Sequence, residues 1–316
     1  MAMFFVILGH RLRGIKPFFV FTSPVKIPMF FMISGYVFNY DRKSTGRFLA
    51  NMFFKLVVPW LCLTVPFVAV KAVVKGNPSV LMSGIYSIIS GKTYWYMPCL
   101  IVAELIWFFT VKFGKTALRI SVIAVAVTVL GLVAAKFKVL GFAMINRAMA
   151  VQFFLLMGFL FKKYEKQLFR MNWWQTALVF VVYISLAVIS LRIWPKYNLD
   201  VHRSFYYNYA YCFAMIIIGC TGCFIAAHKL SGKVPKIIGF LGQNTLVYYL
   251  LNSVNSKAFV AGLSKAGIQL SAPMKTAVIM AVVYVMCGIE ALVLNRFLPV
   301  IVGKRKKQIT RNSSAE

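Results

Sequence analysis

Few side chains in these 316 residues can move a proton. The histidines are His10, His202 and His228, and the acids are Asp41, Glu104, Glu165, Asp200, Glu290 and Glu316. His10 closes the apolar run from Met1 to Gly9, just ahead of Arg11 and Arg13. An imidazole with an ordinary pKa of about 6.5 at the mouth of a membrane helix can take a proton from a hydroxyl. It can equally be a solvated helix end. Glu104 lies two turns past Trp95-Tyr96-Met97-Pro98. A carboxylate inside an apolar run is costly, as charged groups at a bilayer centre cost about 2.5 to 3.5 kcal/mol on the insertion scale. Glu104 therefore reads as a residue facing a polar site or as the partner of a basic group. Glu290 and Arg296 stand six residues apart, off the helical contact spacing of three or four, and read as separate structural residues.

Other groups have two readings each. Arg42, Lys43, Arg47 and Lys55 precede an apolar run and can hold the phosphates of a cytoplasmic donor, Arg with bidentate geometry. Positive-inside anchoring explains the same residues without a ligand. Asp200-Val201-His202-Arg203 is an acid/base pair or an ordinary loop triplet. Cys220-Thr221-Gly222-Cys223 with His228 beyond has metal-like or redox-like spacing, but there is no second ligand pair, and small-residue helix packing accounts for it as well. The six cysteines all lie in apolar runs, as packing thiols do. Asn244, in Gly242-Gln243-Asn244-Thr245, is a helix N-cap or part of a polar interior.

These residues must be positioned by membrane helices. Hydrophobic residues make up 61% of the chain and charged residues 13%, with a mean hydropathy of +0.79, far from the soluble average of about 25% charged. Lys and Arg number 36, which in a soluble chain would suggest nucleic acid. Here they are spread through nearly every gap between apolar runs, which favours loop ends and anionic headgroups and argues for no nucleic-acid partner. Apolar segments fall near 1–10, 18–40, 52–74, 94–111, 117–135, 139–161, 174–194, 205–227, 237–256 and 276–302. The expected fold is an all-α integral membrane protein, a bundle of about ten transmembrane helices. Ten residues cover about half of a 30 Å core, so the first helix is expected to be truncated at its N-terminus.

Residues 1–303 form the expected membrane domain and 304–316 a basic cytoplasmic tail. A weak excess of basic residues puts the loops at 11–26, 75–93, 136–138, 195–204 and 257–275 outside. Within 75–93, Gly76-Asn77-Pro78 and the spacing of Val80, Leu81, Ile85, Ile88 and Ile89 predict a short amphipathic surface helix. No internal repeat is evident, which weighs against a transporter.

Several stretches together resemble the acyltransferase family 3 membrane proteins, especially the branch similar to fucose 4-O-acetylases and exopolysaccharide O-acetyltransferases. They are Val6-Ile7-Leu8-Gly9-His10, Ile27-Pro28-Met29-Phe30-Phe31-Met32-Ile33-Ser34-Gly35-Tyr36, Lys55-Leu56-Val57-Val58-Pro59-Trp60, Trp95-Tyr96-Met97-Pro98 with Glu104, and Leu241 to Leu250. Asn295-Arg296-Phe297-Leu298-Pro299 to Gly303-Lys304 closes the series. The resemblance implies a ten-helix bacterial cell-membrane enzyme that moves an acyl group, usually acetyl, from cytoplasmic acetyl-CoA or another acyl-CoA to a sugar hydroxyl of a cell-surface glycan or its lipid-linked precursor. It implies His10 as the catalytic residue and Arg47 and Lys55 as ligands of the donor phosphates, with Ser34, Trp95, Glu104 and Asn244 lining the site and no metal. Histidines common in the family before Pro28 and after Leu251 stand here as Lys26 and Asn252, and the arginine it pairs with its histidine would precede Met1. A glycolipid flippase and an inactive scaffold of a glycan-assembly complex are the competing readings.

Overall fold

The computed structural model describes residues 2–11, 15–39, 44–194, 199–230 and 234–304. Side chains are described for all of these except Ala2, His10, Arg11, residues 234–236, Ala272 and Pro273. Asp41, Arg42 and Lys43 of the basic loop, and the tail past 304, lie outside the described residues.

In chain order the helices are α1 (Ala2–Arg11), α2 (Lys16–Lys26), α3 (Pro28–Val37), α4 (Thr45–Met52), α5 (Val58–Val74), α6 (Ser79–Ile89), α7 (Tyr96–Gly114) and α8 (Ala117–Lys136). The series continues with α9 (Ile145–Ala150), α10 (Gln152–Lys163), α11 (Glu165–Leu168), α12 (Trp173–Ile193), α13 (Tyr209–His228), α14 (Val234–Gln243), α15 (Thr245–Lys265) and α16 (Ala272–Phe297). A π-helical turn, Phe53–Val57, joins α4 to α5. A two-residue antiparallel hairpin, β1 (Leu199–Asp200) and β2 (Phe205–Tyr206), is the one non-helical pairing among the described residues, and the sequence did not announce it.

Among the described residues seven helical stretches are long and apolar enough to cross a membrane, and eight if the pair Phe142–Ala150 and Gln152–Lys163, bent by 48°, is one span. The protein is a multi-pass membrane protein. Each of the ten expected segments coincides with helix. The two outside the set of eight are α1, which is short, and the α14–α15 stretch, whose interior carries Asn244, Asn252, Asn255 and Ser256. The amphipathic helix expected in 75–93 is α6, with Met82, Tyr86 and Ile89 exposed and Gly84 packed on Val68 of α5.

Three boundaries differ from expectation. Residues 16–26 are helix rather than loop: Pro17 starts α2 without costing a bond, and the carbonyl that Pro28 leaves without a donor is met by a neighbouring thiol. The run 139–161 is broken at Val151, after positive φ at Lys138, Leu140, Ala143 and Met144. α15 continues to Lys265 through residues read as an outside loop, where Lys257 and Lys265 mask the helical pattern.

By packing, the chain divides into two compact units. Unit 1 comprises residues 1–42 and 98–235 and is built on α3 and α10. A Cβ on Gly35 would lie 2.0 Å from the Leu155 carbonyl oxygen, and one on Gly158 would lie 1.9 Å from that of Met32. Two glycines thus let the backbones touch, the small-residue packing that joins helices where no hydrophobic force acts between them. Pro28 has no N–H for the Pro24 carbonyl, four residues back, and the Cys220 thiol approaches that oxygen at 3.7 Å. Tyr183 donates its hydroxyl to the Phe21 carbonyl (2.6 Å) in the same bend.

Unit 2 comprises residues 43–97 and 236–316. Pro59 likewise leaves the Lys55 carbonyl without its α-helical donor, and the π turn is the local response. Gly303, at φ +74°, closes on that carbonyl, where a Cβ would sit 2.9 Å away. Along α15 and α16 the contact is polar. Asn295 donates to Asn244 (2.8 Å), Tyr248 donates to the Tyr284 carbonyl (3.3 Å), and Asn255 donates to Glu290 (2.8 Å).

Candidate functional site

Of the residues singled out from sequence, His10, Ser34 and Glu104 belong to unit 1, and Arg47, Lys55, Trp95 and Asn244 to unit 2. His10 lies on the last turn of α1, and its side chain is outside the described set. What the structure adds is beside it. Lys26 falls near the middle of the apolar span Lys16–Val37. Its ammonium lies over the Phe19 ring at 5.1 Å and reaches α1, where a Cβ on Gly9 would be 3.4 Å from Nζ. Glycine at position 9 allows that approach, and position 9 adjoins His10. An ammonium held within a span is a functional candidate by default. The sequence carried the signal, since Lys26 is the basic residue enclosed by Pro24-Val25 and Ile27-Pro28, but assignment to a loop hid it.

Ser34 is half-buried on α3 beside the Gly35 contact. Glu104 is half-buried on α7, after Ala103, whose carbonyl accepts from Gln152 (3.1 Å), and one turn before fully buried Trp107. The Cys-Thr-Gly-Cys stretch serves packing. Cys220 answers the Pro24 carbonyl, Gly219 and Gly222 receive Tyr183, Val179 and Phe180, and His228 stacks on Phe169 at 3.7 Å. Among the described residues no group of three His, Cys, Asp or Glu side chains is poised for a metal.

At the opposite end of α3, Tyr36 donates to Glu165 (2.8 Å), and Lys162 pairs with the same carboxylate oxygen at 3.0 Å. The bonds from Lys162 and then Tyr36 hold the Glu165 carboxyl below its ordinary value. His202 is half-buried near Asp200. Burial pushes its imidazole below the ordinary range, and Arg147 and Arg203 act in the same direction while Asp200 opposes. Asp200 itself pairs with Arg203 at 3.6 Å.

In unit 2, Ser44 caps α4 by accepting from the Arg47 N–H (3.4 Å). Arg47 and Lys55 are both exposed on one continuous helix, Thr45–Val74, about 12 Å apart along its axis at 1.5 Å per residue. Two mobile cations at that separation suit two phosphate groups of one extended donor. Trp95 meets Tyr96 edge-on, and Tyr96 donates its backbone N–H to the Tyr249 hydroxyl (3.3 Å). Asn244 stands at the N-cap position of α15 but makes no capping bond. Its side chain donates to the Phe240 carbonyl (2.8 Å) and accepts from Asn295, so the polar-interior reading holds. Glu290 bonds Asn255, whereas Arg296 lies over Phe297, as separate roles require.

Compared with known proteins, residues 1–290 match the family model described as an acyltransferase domain. No curated protein and no solved structure matches the chain.

Proposed function

The chain belongs to the acyltransferase 3 family and is a membrane acyltransferase, and from that premise we propose that it moves an acetyl group from acetyl-CoA to a hydroxyl of a cell-surface glycan or its lipid-linked precursor. The observation that carries this reading is the ammonium of Lys26, enclosed in a span and brought against the residue preceding His10. A cation there favours the neutral, base-competent form of an adjacent imidazole and offers charge to a developing oxyanion.

In the proposed step, His10 takes the proton of the acceptor hydroxyl as its oxygen attacks the thioester carbonyl. The tetrahedral intermediate collapses with cleavage of the C–S bond, and the proton held by His10 passes to the departing thiolate. The products are the O-acetyl ester and free CoA. Arg47 and Lys55 are the proposed ligands of the donor phosphates, and Ser34 and Glu104 in unit 1 and Trp95 and Asn244 in unit 2 are the proposed lining residues, each within its own unit.

The test is transfer from labelled acetyl-CoA by the purified protein, with the acetyl content of the host polysaccharide measured by mass spectrometry. His10→Ala is expected to lower kcat by about 10²- to 10⁴-fold, the usual worth of a general base. Lys26→Gln is expected to lower it by about 10²-fold and to move the acid limb of the pH profile upward, as removing a cation from beside residue 9 would do for a base close by. Unchanged acetylation in His10→Ala would remove the proposal.

A further inference from the structure

One cluster in unit 1 is not used by this chemistry. It lies where the end of α8, the break before α10, the hairpin and the first unit-1 turns of α7 come together, the end that the charge pattern assigns to the outside. Arg147, half-buried on α9, donates through Nε to the His202 carbonyl (3.1 Å) and through Nη1 to Asn146 Oδ1 (2.8 Å). Asn146 is itself fixed by its bond to the Val139 carbonyl (2.6 Å). Both acceptors of the guanidinium are neutral, and among the described residues no carboxylate lies within ion-pair distance of it. Its Nη2 edge makes no hydrogen bond there. An Arg fork anchored on one edge and open on the other is the arrangement that receives a carboxylate or phosphate.

The hairpin that Arg147 engages, and α10 just after Arg147, carry polar atoms that the fold itself does not use. The Tyr206 hydroxyl, the Ser204 hydroxyl and Gln152 Oε1 are buried without a hydrogen-bond partner, and these side chains are 3%, 6% and 0% exposed. Buried polar groups are almost always satisfied, so each orphan asks for an occupant. The His202 carbonyl that Arg147 engages belongs to the turn between β1 and β2, so hairpin and guanidinium are held together. Gln152 ties α10 to α7 and α9 through its bonds to Ala103 and Ala148. The chain holds four non-glycine residues at positive φ, Lys138, Leu140, Ala143 and Met144, to bring Arg147 there. The segments that end here carry Lys136, Lys138, Arg192 and Arg203, against Asp200, which Arg203 already engages.

We infer that this cluster is an anion-reading glycan site, in which Arg147 binds a carboxylate or phosphate of the acceptor while Tyr206, Ser204 and Gln152 bond its hydroxyls. The identity of the ligand as a glycan rests on the acyl-transfer reading; the preference for an anion rests on Arg147 alone. The site would make the enzyme select uronate-bearing or phosphate-linked sugars over neutral ones.

The experiment is equilibrium binding to the full chain in nanodiscs, without acetyl donor. The probes are a uronate-containing oligosaccharide, the same oligosaccharide with its carboxyls reduced, and a sugar 1-phosphate. Wild type is expected to bind one or both anionic probes at least about tenfold more tightly than the reduced one, and Arg147→Gln to abolish that difference. Whichever anionic probe binds identifies the source of the charge. Because Arg147→Gln also loses the tie to the hairpin, Tyr206→Phe is the second variant. It removes only an orphaned hydroxyl, so it is expected to keep or raise Tm while weakening the anionic probe about threefold or more. Equal binding of charged and reduced probes, or unaltered binding in both variants, overturns the inference. Turnover is not read, so a chain that binds uronate through Arg147 but transfers no acetyl group would sink the enzymatic reading and leave this one standing.

Discussion

Where α3 meets α10, the helices touch through Gly35 and Gly158, with no polar side chain between them at those contacts. Where α15 meets α16, they are joined by Asn244 to Asn295, Tyr248 to a carbonyl, and Asn255 to Glu290. Lipid tails are as apolar as leucine, so neither seam gains from excluding water. The first gains from backbone proximity and dispersion and the second from hydrogen bonds. The first tolerates no added atom, while the second depends on each polar group keeping its partner. The difference is in how each seam closes: that of unit 1 is shut by its glycines, and that of unit 2 keeps hydrogen-bonding groups along its interior.

Gly158→Val breaks the comparison most severely. Its side chain would meet the Met32 carbonyl, and backbone cannot yield as a side-chain tip can. A cost of about 3 kcal/mol or more is expected, read as loss of monodisperse protein and a lowered midpoint on heating in detergent. Asn244→Leu comes next, because it leaves the Asn295 amide unanswered, at a cost of about 1 to 2 kcal/mol. Adding Asn295→Leu should restore the midpoint. If acyl transfer returns with it, the seam is structural alone; if transfer stays low in the stable double variant, its polar groups also serve the reaction.

The smallest effect is at Glu165. Its carboxyl is held below the ordinary value of 4.5, so its contribution to stability is present above that value and is lost as pH falls through the lower folded value. Wild type and Glu165→Gln should therefore differ slightly in midpoint near neutrality and converge in acid. A difference that grows on acidification would reverse the assignment.

The helices were readable because each expected apolar segment is a helix or helix pair, and the resemblance to acyltransferases agrees with the family match over residues 1–290. What escaped was set by tertiary partners. Lys26 was placed in a loop by the pattern of basic residues, and the Cys220 and Tyr183 side chains that meet the carbonyls of its proline-bearing segment come from far along the chain. Arg147 was hidden in a run that reads as one span, and the left-handed residues that break it include no glycine to mark the turn. Asn244 was seen, but the choice between cap and interior depended on Asn295, fifty-one positions away.

The meeting of Gly303 with the Lys55 carbonyl matters at the bench. The short turn Pro299–Val302 ends in Gly303, which acts as a stopper against the π turn that carries Lys55. Fusion partners joined after residue 304 should be innocuous. Trimming back to Phe297 would uncork that turn and loosen the segment around Lys55, read as a lowered midpoint on heating in detergent.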